Sequence, residues 1–354
     1  MILRNMGRMD LALSDLISVT ILRPDWLRPA TYAANTALEL GENEVARKII
    51  DRCKILDSTR NDFYIGEEDA EPEKAAPRHQ KAARFPVAVS EMVDFRSAIS
   101  KHLLDPLAFP RVLTPSSKIF AAGSCFAANI AKVLNDQGHS AFANNFGESI
   151  NSTLANREYF DWLCASEAFE SEISELIPAD IRDVTRAQFF ASDLIILTVG
   201  VAPVFLDRVT GKLRLQTDEG LSVRRLVREC EFRTLSVGEN VENLSHILAT
   251  IRRHRPEASI FITLSPVPLS ASFEYESAIM ADCVSKSVLR VAIDEIFRQQ
   301  PQGVYYWPAF EAVHWIGGYA GGAYGEDDGA TRHVSVRVVD AITSEFISRI
   351  QVAS

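Results

Sequence analysis

Lys118-Ile-Phe-Ala-Ala-Gly-Ser-Cys-Phe-Ala-Ala-Asn-Ile-Ala-Lys-Val-Leu134 opens as a short apolar run and closes with helical period, with Gly123-Ser124 at the join. A strand that passes through glycine straight into a helix exposes the serine at the helix N-terminus. Free amides and the helix dipole favour negative charge there. An oxyanion formed beside Ser124 would be stabilised by the serine's own amide and its neighbours. A simpler role is open to the same residue, because serine is a preferred N-cap that bonds the amides of the next turn. Cys125 sits where a thiol pKa is lowered. Adjacent helical residues point roughly 100° apart, so Ser124 and Cys125 are not expected to face one pocket, and Cys125 is expected to pack.

Working outward, five short segments rich in Ile, Val, Phe and Tyr are expected as buried strands: Lys118–Gly123, Ser140–Asn145, Asp193–Gly200, Ser259–Ser265 and Val304–Phe310. The gaps Ala127–Gly138, Val241–His254 and Glu274–Gln299 carry helical period, the alternation of a parallel sheet wrapped by helices. The expected fold class is therefore α/β, a three-layer sandwich on a five-stranded parallel sheet. Val204–Arg208 and Lys212–Gln216 flank Val209-Thr210-Gly211 and predict a hairpin projecting from the sheet edge. Upstream, Leu11 to Leu56 has apolar positions at helical spacing, broken at Arg23-Pro24 and Gly41-Glu42-Asn43. From Trp26 to Asp57 the small residues fall as in one tetratricopeptide unit. Such a unit buries its faces against a neighbour, so residues 1–60 are expected to dock on a partner protein or on the main domain, unless they form an ordinary helical hairpin with no partner role. Gly66 to Phe85 is charged, holds two prolines and has no apolar period, as an exposed linker does. The domain plan is residues 1–60 helical, 61–90 linker and 91–354 the α/β domain.

At 354 residues the chain exceeds what one core usually encloses. A net charge of -10 with no long Lys/Arg run argues against a nucleic-acid partner, since phosphate binding needs concentrated positive charge. The five cysteines are widely spaced, with no CxxC pair and no histidine placed to complete a zinc site, so no metal and no cofactor is expected. Arg4, Arg8, Asp10 and Asp15 interrupt the N-terminus, and no window approaches a membrane span; the expected location is the cytoplasm.

Gly123-Ser-Cys-Phe-Ala127 spells the signature of the GSCFA family, a bacterial group that resembles the SGNH, or GDSL-like, esterases and acyltransferases. The resemblance extends to Asn145-Phe-Gly-Glu-Ser-Ile-Asn151, Leu197-Thr-Val-Gly200, Ser265-Pro-Val-Pro268 and Arg332-His-Val-Ser335, covering residues 95 to 350 in order and spacing. It implies a flavodoxin-like sandwich with the site at the C-terminal ends of the strands. It also implies Ser124 as nucleophile, His333 as general base and the amide of Gly147 as an oxyanion donor. Gly200 and Thr198 would then line the opposite wall, a place where packing alone also explains them. A serine hydroxyl is a poor nucleophile near neutral pH unless an imidazole takes its proton, so the pair is needed. His314 is the competing base.

Two departures from the wider superfamily stand out. The acid usually three residues before the histidine is Ala330 here, which leaves Asp328, slightly favoured, or Asp327 to orient His333. No asparagine lies in Thr198-Val-Gly-Val-Ala-Pro203, which leaves Asn145 or backbone amides alone to complete the oxyanion hole. Ser265-Pro-Val-Pro268 is expected to line the acyl pocket, unless its prolines only stop the strand, and the glycine- and aromatic-rich stretch from Tyr305 to Tyr324 is either a lid edging that pocket or a loop without a ligand. The expected function is serine-dependent hydrolysis or transfer of an acyl group on a small-molecule or carbohydrate ester. The alternative is a catalytically inactive SGNH-like binding or scaffold protein that docks through its helical segment.

Overall fold

In a computed structural model, residues 9–22, 27–56, 83–144, 149–166, 171–215 and 223–352 are described. The chain divides into two compact units, Met1–Ala82 and Ala83–Ser354. In the first, helices Met9–Leu22, Leu27–Glu39 and Asn43–Leu56 pack through small side chains. Ala33, Ala37 and Ala46 are fully buried and meet Leu13, so the helix axes approach closely where the sequence places alanine. Trp26 and most of the expected linker lie outside the described residues.

The second unit is built on a five-stranded, all-parallel sheet in the order β2-β1-β3-β7-β8. Its strands are β1 (Lys118–Gly123), β2 (Ser140–Ala143), β3 (Leu194–Val199), β7 (Ser259–Leu264) and β8 (Val304–Tyr306). A strand buried on both faces sends alternate side chains to two cores. Phe120, Ile195, Leu197, Ile260 and Ile262 pack under the helices Thr153–Cys164, Val237–His254 and Ala278–Arg298. Ile119, Ala121, Ile196 and Phe261 face the helices Cys125–Asp136 and Val336–Ile350. There Trp307 stacks on Phe346 with ring centroids 4.1 Å apart. The three-layer α/β sandwich expected from the sequence is therefore present.

Two expectations need correction. The fifth strand ends at Tyr306 and not at Phe310, because Pro308 has no amide to donate and instead precedes the short helix Ala309–Glu311. The hairpin belongs to a separate sheet rather than to the edge of the main one. Here β4 (Pro203–Asp207) pairs antiparallel with both β5 (Leu213–Arg214) and β6 (Cys230–Thr234). No helix among the described residues is long and apolar enough to cross a membrane.

Candidate active site

Beyond the C-terminal ends of β1, β3 and β7 lies a narrow cleft. Ser124 and Cys125 enter it from β1, Gly200 and Val201 from β3, and Ser265, Val267 and Pro268 from β7; Asn151 and Arg332 complete the wall. Its free volume is about 10 Å³, room for a single water. Cys125 thus shares the cleft with Ser124, contrary to the helical-wheel expectation. Ser124 is the N-cap, with extended φ -72° and ψ 168°, so the 100° step between helical residues does not relate the two side chains.

The turn at Ser124 depends on Gly123. Its φ is +108°, and a Cβ there would stand 1.9 Å from the Thr198 carbonyl oxygen. Only glycine lets β1 approach β3 this closely while swinging into the helix. Ser124, 3% exposed, makes no side-chain cap bond despite its N-cap position. Its Oγ instead lies 2.9 Å from Thr198 Oγ1, and its amide donates to Thr198 Oγ1 at 2.7 Å and to the Thr198 carbonyl at 3.3 Å. The Ser124 amide is therefore engaged by β3 rather than offered to an oxyanion. Thr198 is fully buried and holds the serine.

Asn151 reached the cleft without being singled out in the sequence. Its carbonyl accepts from the amides of Gly200 at 2.8 Å and Val201 at 3.2 Å. A Cβ on Gly200 would stand 2.9 Å from Asn151 Cβ, so glycine is needed for this close approach. Ser152, which follows, pairs with Val201 and caps the helix Thr153–Cys164 by accepting from the Ala155 amide at 3.1 Å. Asn151 thus lines the cleft within a backbone frame tied at both ends. Asn145 and Gly147 lie outside the described residues.

On the far side, the loop before the last helix separates the two candidate carboxylates. Asp328 Oδ2 meets His333 Nδ1 at 2.5 Å, while Asp327 Oδ2 accepts from the Val336 amide at 2.7 Å, at the N-terminus of the helix Val336–Ile350. The His333 contact, followed by the Ala330 amide, holds the Asp328 carboxyl below its usual range. With Nδ1 on Asp328, the His333 ring has Nε2 left for proton transfer. Its side chain is 67% exposed, and among the described residues no hydrogen bond joins it to Ser124. The neighbour Arg332 lines the cleft and donates from Nε to the Pro268 carbonyl at 2.9 Å. Neither His333 nor the competing His314, which stacks on Phe310 with centroids 5.1 Å apart, is among the residues lining the cleft. Tyr324 of the expected lid donates to the Pro266 carbonyl at 2.9 Å, and burial pushes its pKa up to about 12. That stretch is fastened to the β7 wall by this bond. Among the described residues no group of three or more His, Cys, Asp or Glu side chains could hold a metal ion.

A profile of the GSCFA family matches residues 165–346, downstream of the Gly123–Ala127 pentapeptide. No curated protein matches the sequence. Similar solved structures include a carbohydrate esterase family 2 enzyme with its carbohydrate-binding domain from Corynascus thermopiles (Myceliophthora fergusii). That structure is 15% identical, with 68% of this chain and 68% of that chain covered and a TM-score of 0.35. The acetyl xylan esterase Est2A of the rumen bacterium Butyrivibrio proteoclasticus is 14% identical over 67% of this chain and 64% of that one, TM-score 0.36. A family two carbohydrate esterase from Clostridium thermocellum, in complex with cellohexaose, is 13% identical over 69% and 66%, TM-score 0.34. The chain spans about two thirds of the length of these three.

Proposed function

This chain belongs to the GSCFA family, and from that premise we propose that it is an acyl-ester hydrolase or O-acyltransferase working through an acyl-Ser124 intermediate. The observation that carries this reading is the state of Ser124. The serine occupies an N-cap yet leaves the cap unmade, and its hydroxyl is held by Thr198 inside a cleft at the strand ends. A residue serving only as a cap would have its Oγ on the amides of the first turn.

In the proposed reaction His333 Nε2 accepts the Ser124 proton while Nδ1 stays on Asp328. Oγ bonds to the ester carbonyl carbon, and the tetrahedral oxyanion forms. That oxyanion is stabilised by the Asn151 side-chain amide, which takes the donor role assigned in the sequence to Asn145, and by the Gly147 amide. Collapse breaks the bond to the leaving alcohol, which departs with the proton from His333. Water or a second hydroxyl then gives its proton to His333 and attacks the acyl carbon; collapse breaks the bond to Ser124 Oγ, which takes that proton back from His333. Thr198 positions the nucleophile, and Gly200 forms the wall opposite. Contacts between nucleophile and base are often long without substrate and tighten in the complex. The substrate of this reading is a small-molecule or carbohydrate ester, and the cleft, with room for one water, has to widen to admit its acyl group.

One observation favours a second reading, a binding protein without turnover: His333 is exposed and makes no bond to Ser124. A fluorophosphonate probe and p-nitrophenyl acetate separate the two. Labelling that maps to Ser124, lost in Ser124→Ala and strongly reduced in His333→Ala, is the expected outcome. Absence of both labelling and turnover in the wild type would refute the enzymatic reading.

A further inference from the structure

Lys286 lies on the helix Ala278–Arg298 with 2% of its surface exposed. A buried ammonium is costly unless its N–H groups find acceptors. Nζ donates to the Gly200 carbonyl at 2.6 Å and to the Val267 carbonyl at 2.7 Å. These carbonyls belong to different walls of the cleft, one in the loop after β3 and the other in the loop after β7. The ladder between these two strands closes with the Ser265 amide on the Val199 carbonyl at 2.7 Å. Past that bond, one side chain from the helix beneath links the two loops.

The contact at Gly200 reaches further into the site. In a trans peptide the carbonyl and the following amide point in opposite directions. With the Gly200 carbonyl turned to Lys286, the Val201 amide is turned to the Asn151 carbonyl, 3.2 Å away. The same helix adds two further ties: Ser285 Oγ accepts from the Ala202 amide at 2.9 Å, and the Asp282 carboxylate oxygen Oδ1 accepts from the Leu269 amide at 2.9 Å. We infer that Lys286 is a positioning residue for the acyl-transfer site, setting the separation of the β3 and β7 walls and, through the Gly200–Val201 peptide, holding Asn151 beside Ser124. The inference rests on the acyl-serine reading above. Charge matters because hydrogen bonds from an ammonium are roughly twice as strong as neutral ones, and one group must hold two carbonyls at once.

The test compares Lys286→Met, which keeps the length of the stem and removes the ammonium, with Lys286→Arg, which keeps charge and several donors. Both are assayed well below their melting temperatures. The readouts are the rate constant for fluorophosphonate labelling of Ser124 per folded molecule, and kcat and KM on p-nitrophenyl acetate. A misplaced oxyanion donor costs on the order of tenfold to a hundredfold in labelling rate and kcat, with KM moving less. The arginine variant should recover part of the loss. A purely stabilising lysine would lower the melting temperature and leave the rates per folded molecule alone, and a folded methionine variant within about twofold of wild type in both rates overturns the assignment. Should methionine prevent folding, Lys286→Gln, with a neutral donor, is judged by the same limit. A wild type that neither labels nor turns over refutes the acyl-serine reading and this inference with it. A wild type that labels, beside an unaffected Lys286 variant, refutes this inference alone.

Discussion

Replacing Thr198 by valine removes one oxygen and leaves the shape of a fully buried side chain almost unchanged. That oxygen accepts the Ser124 amide at 2.7 Å, lies 2.9 Å from Ser124 Oγ and stands 3.3 Å from the Ala122 carbonyl. The amide keeps the Thr198 carbonyl at 3.3 Å, so it is weakened and not orphaned. The Ser124 hydroxyl, 3% exposed, loses the partner it has in this structure. With the bond that Thr198 donates to the Ala122 carbonyl also gone, one weakened and two lost hydrogen bonds at a buried position cost about 1–3 kcal/mol together. For a unit of this size that lowers the melting temperature by roughly 2–4 °C per kcal/mol. Ser124 labelling should slow by about tenfold as well, because Oγ is no longer held in one rotamer. Thr198→Ser keeps the oxygen and should retain most of the labelling rate. Calorimetry and labelling kinetics on the three proteins give the answer. A valine variant that melts within about 1 °C of wild type and labels at the same rate would show that the Thr198 hydroxyl neither supports the turn nor positions the serine.

Gly123→Ala should cost more than about 4 kcal/mol or prevent soluble expression, since its Cβ would stand 1.9 Å from a carbonyl oxygen at a φ of +108°; recovery of soluble protein with a near-normal melt would refute this. Asn151→Ala should lower kcat by on the order of a hundredfold with little change in stability, read from ester turnover and thermal melts. Asp327→Ala and Asp328→Asn should separate: the first removes the acceptor of the Val336 amide at a helix N-terminus and lowers stability by about 1 kcal/mol, while the second slows acylation at nearly constant melting temperature. Glu158 is pushed up to about 7 by burial, then by Glu172 and Asp161. With the folded value above the unfolded one, its protonated form contributes stability below about pH 4.5 that is lost as pH rises through about 7. Glu158→Gln should therefore melt higher than wild type at pH 8, by about 1–2 kcal/mol after allowing for solvent screening, and close to it at pH 4.5.

Strand, glycine, serine and helix from Lys118 to Leu134 were legible because every determinant is local: an apolar run, a residue tolerant of positive φ and a 3.6-residue period. The parallel sheet followed from the same kind of information repeated along the chain. The strand β6, Cys-Glu-Phe-Arg-Thr, was missed because its alternation of apolar and charged residues runs for only five positions, unlike the continuous apolar runs of the main sheet. Of two aspartates side by side in sequence, Asp328 was only slightly favoured until the turn carried it to His333 and Asp327 to the Val336 amide.

Asn151 and Lys286 mark what the sequence by itself did not determine. An asparagine before a helix reads as a turn residue, and a lysine in Ala278–Arg298 reads as a solvated position on an amphipathic face. Each acquires its place from backbone groups far away in the chain, Val201 for Asn151 and the Gly200 and Val267 carbonyls for Lys286. Local pattern settles which residues form strands and helices, because φ/ψ preference and apolar period act over a few residues. Which side chains converge on the cleft is decided only when β1, β3 and β7 lie side by side. Neighbouring C-terminal ends that are far apart in sequence then meet within hydrogen-bonding distance, as Ser124 and Thr198 do at 2.9 Å.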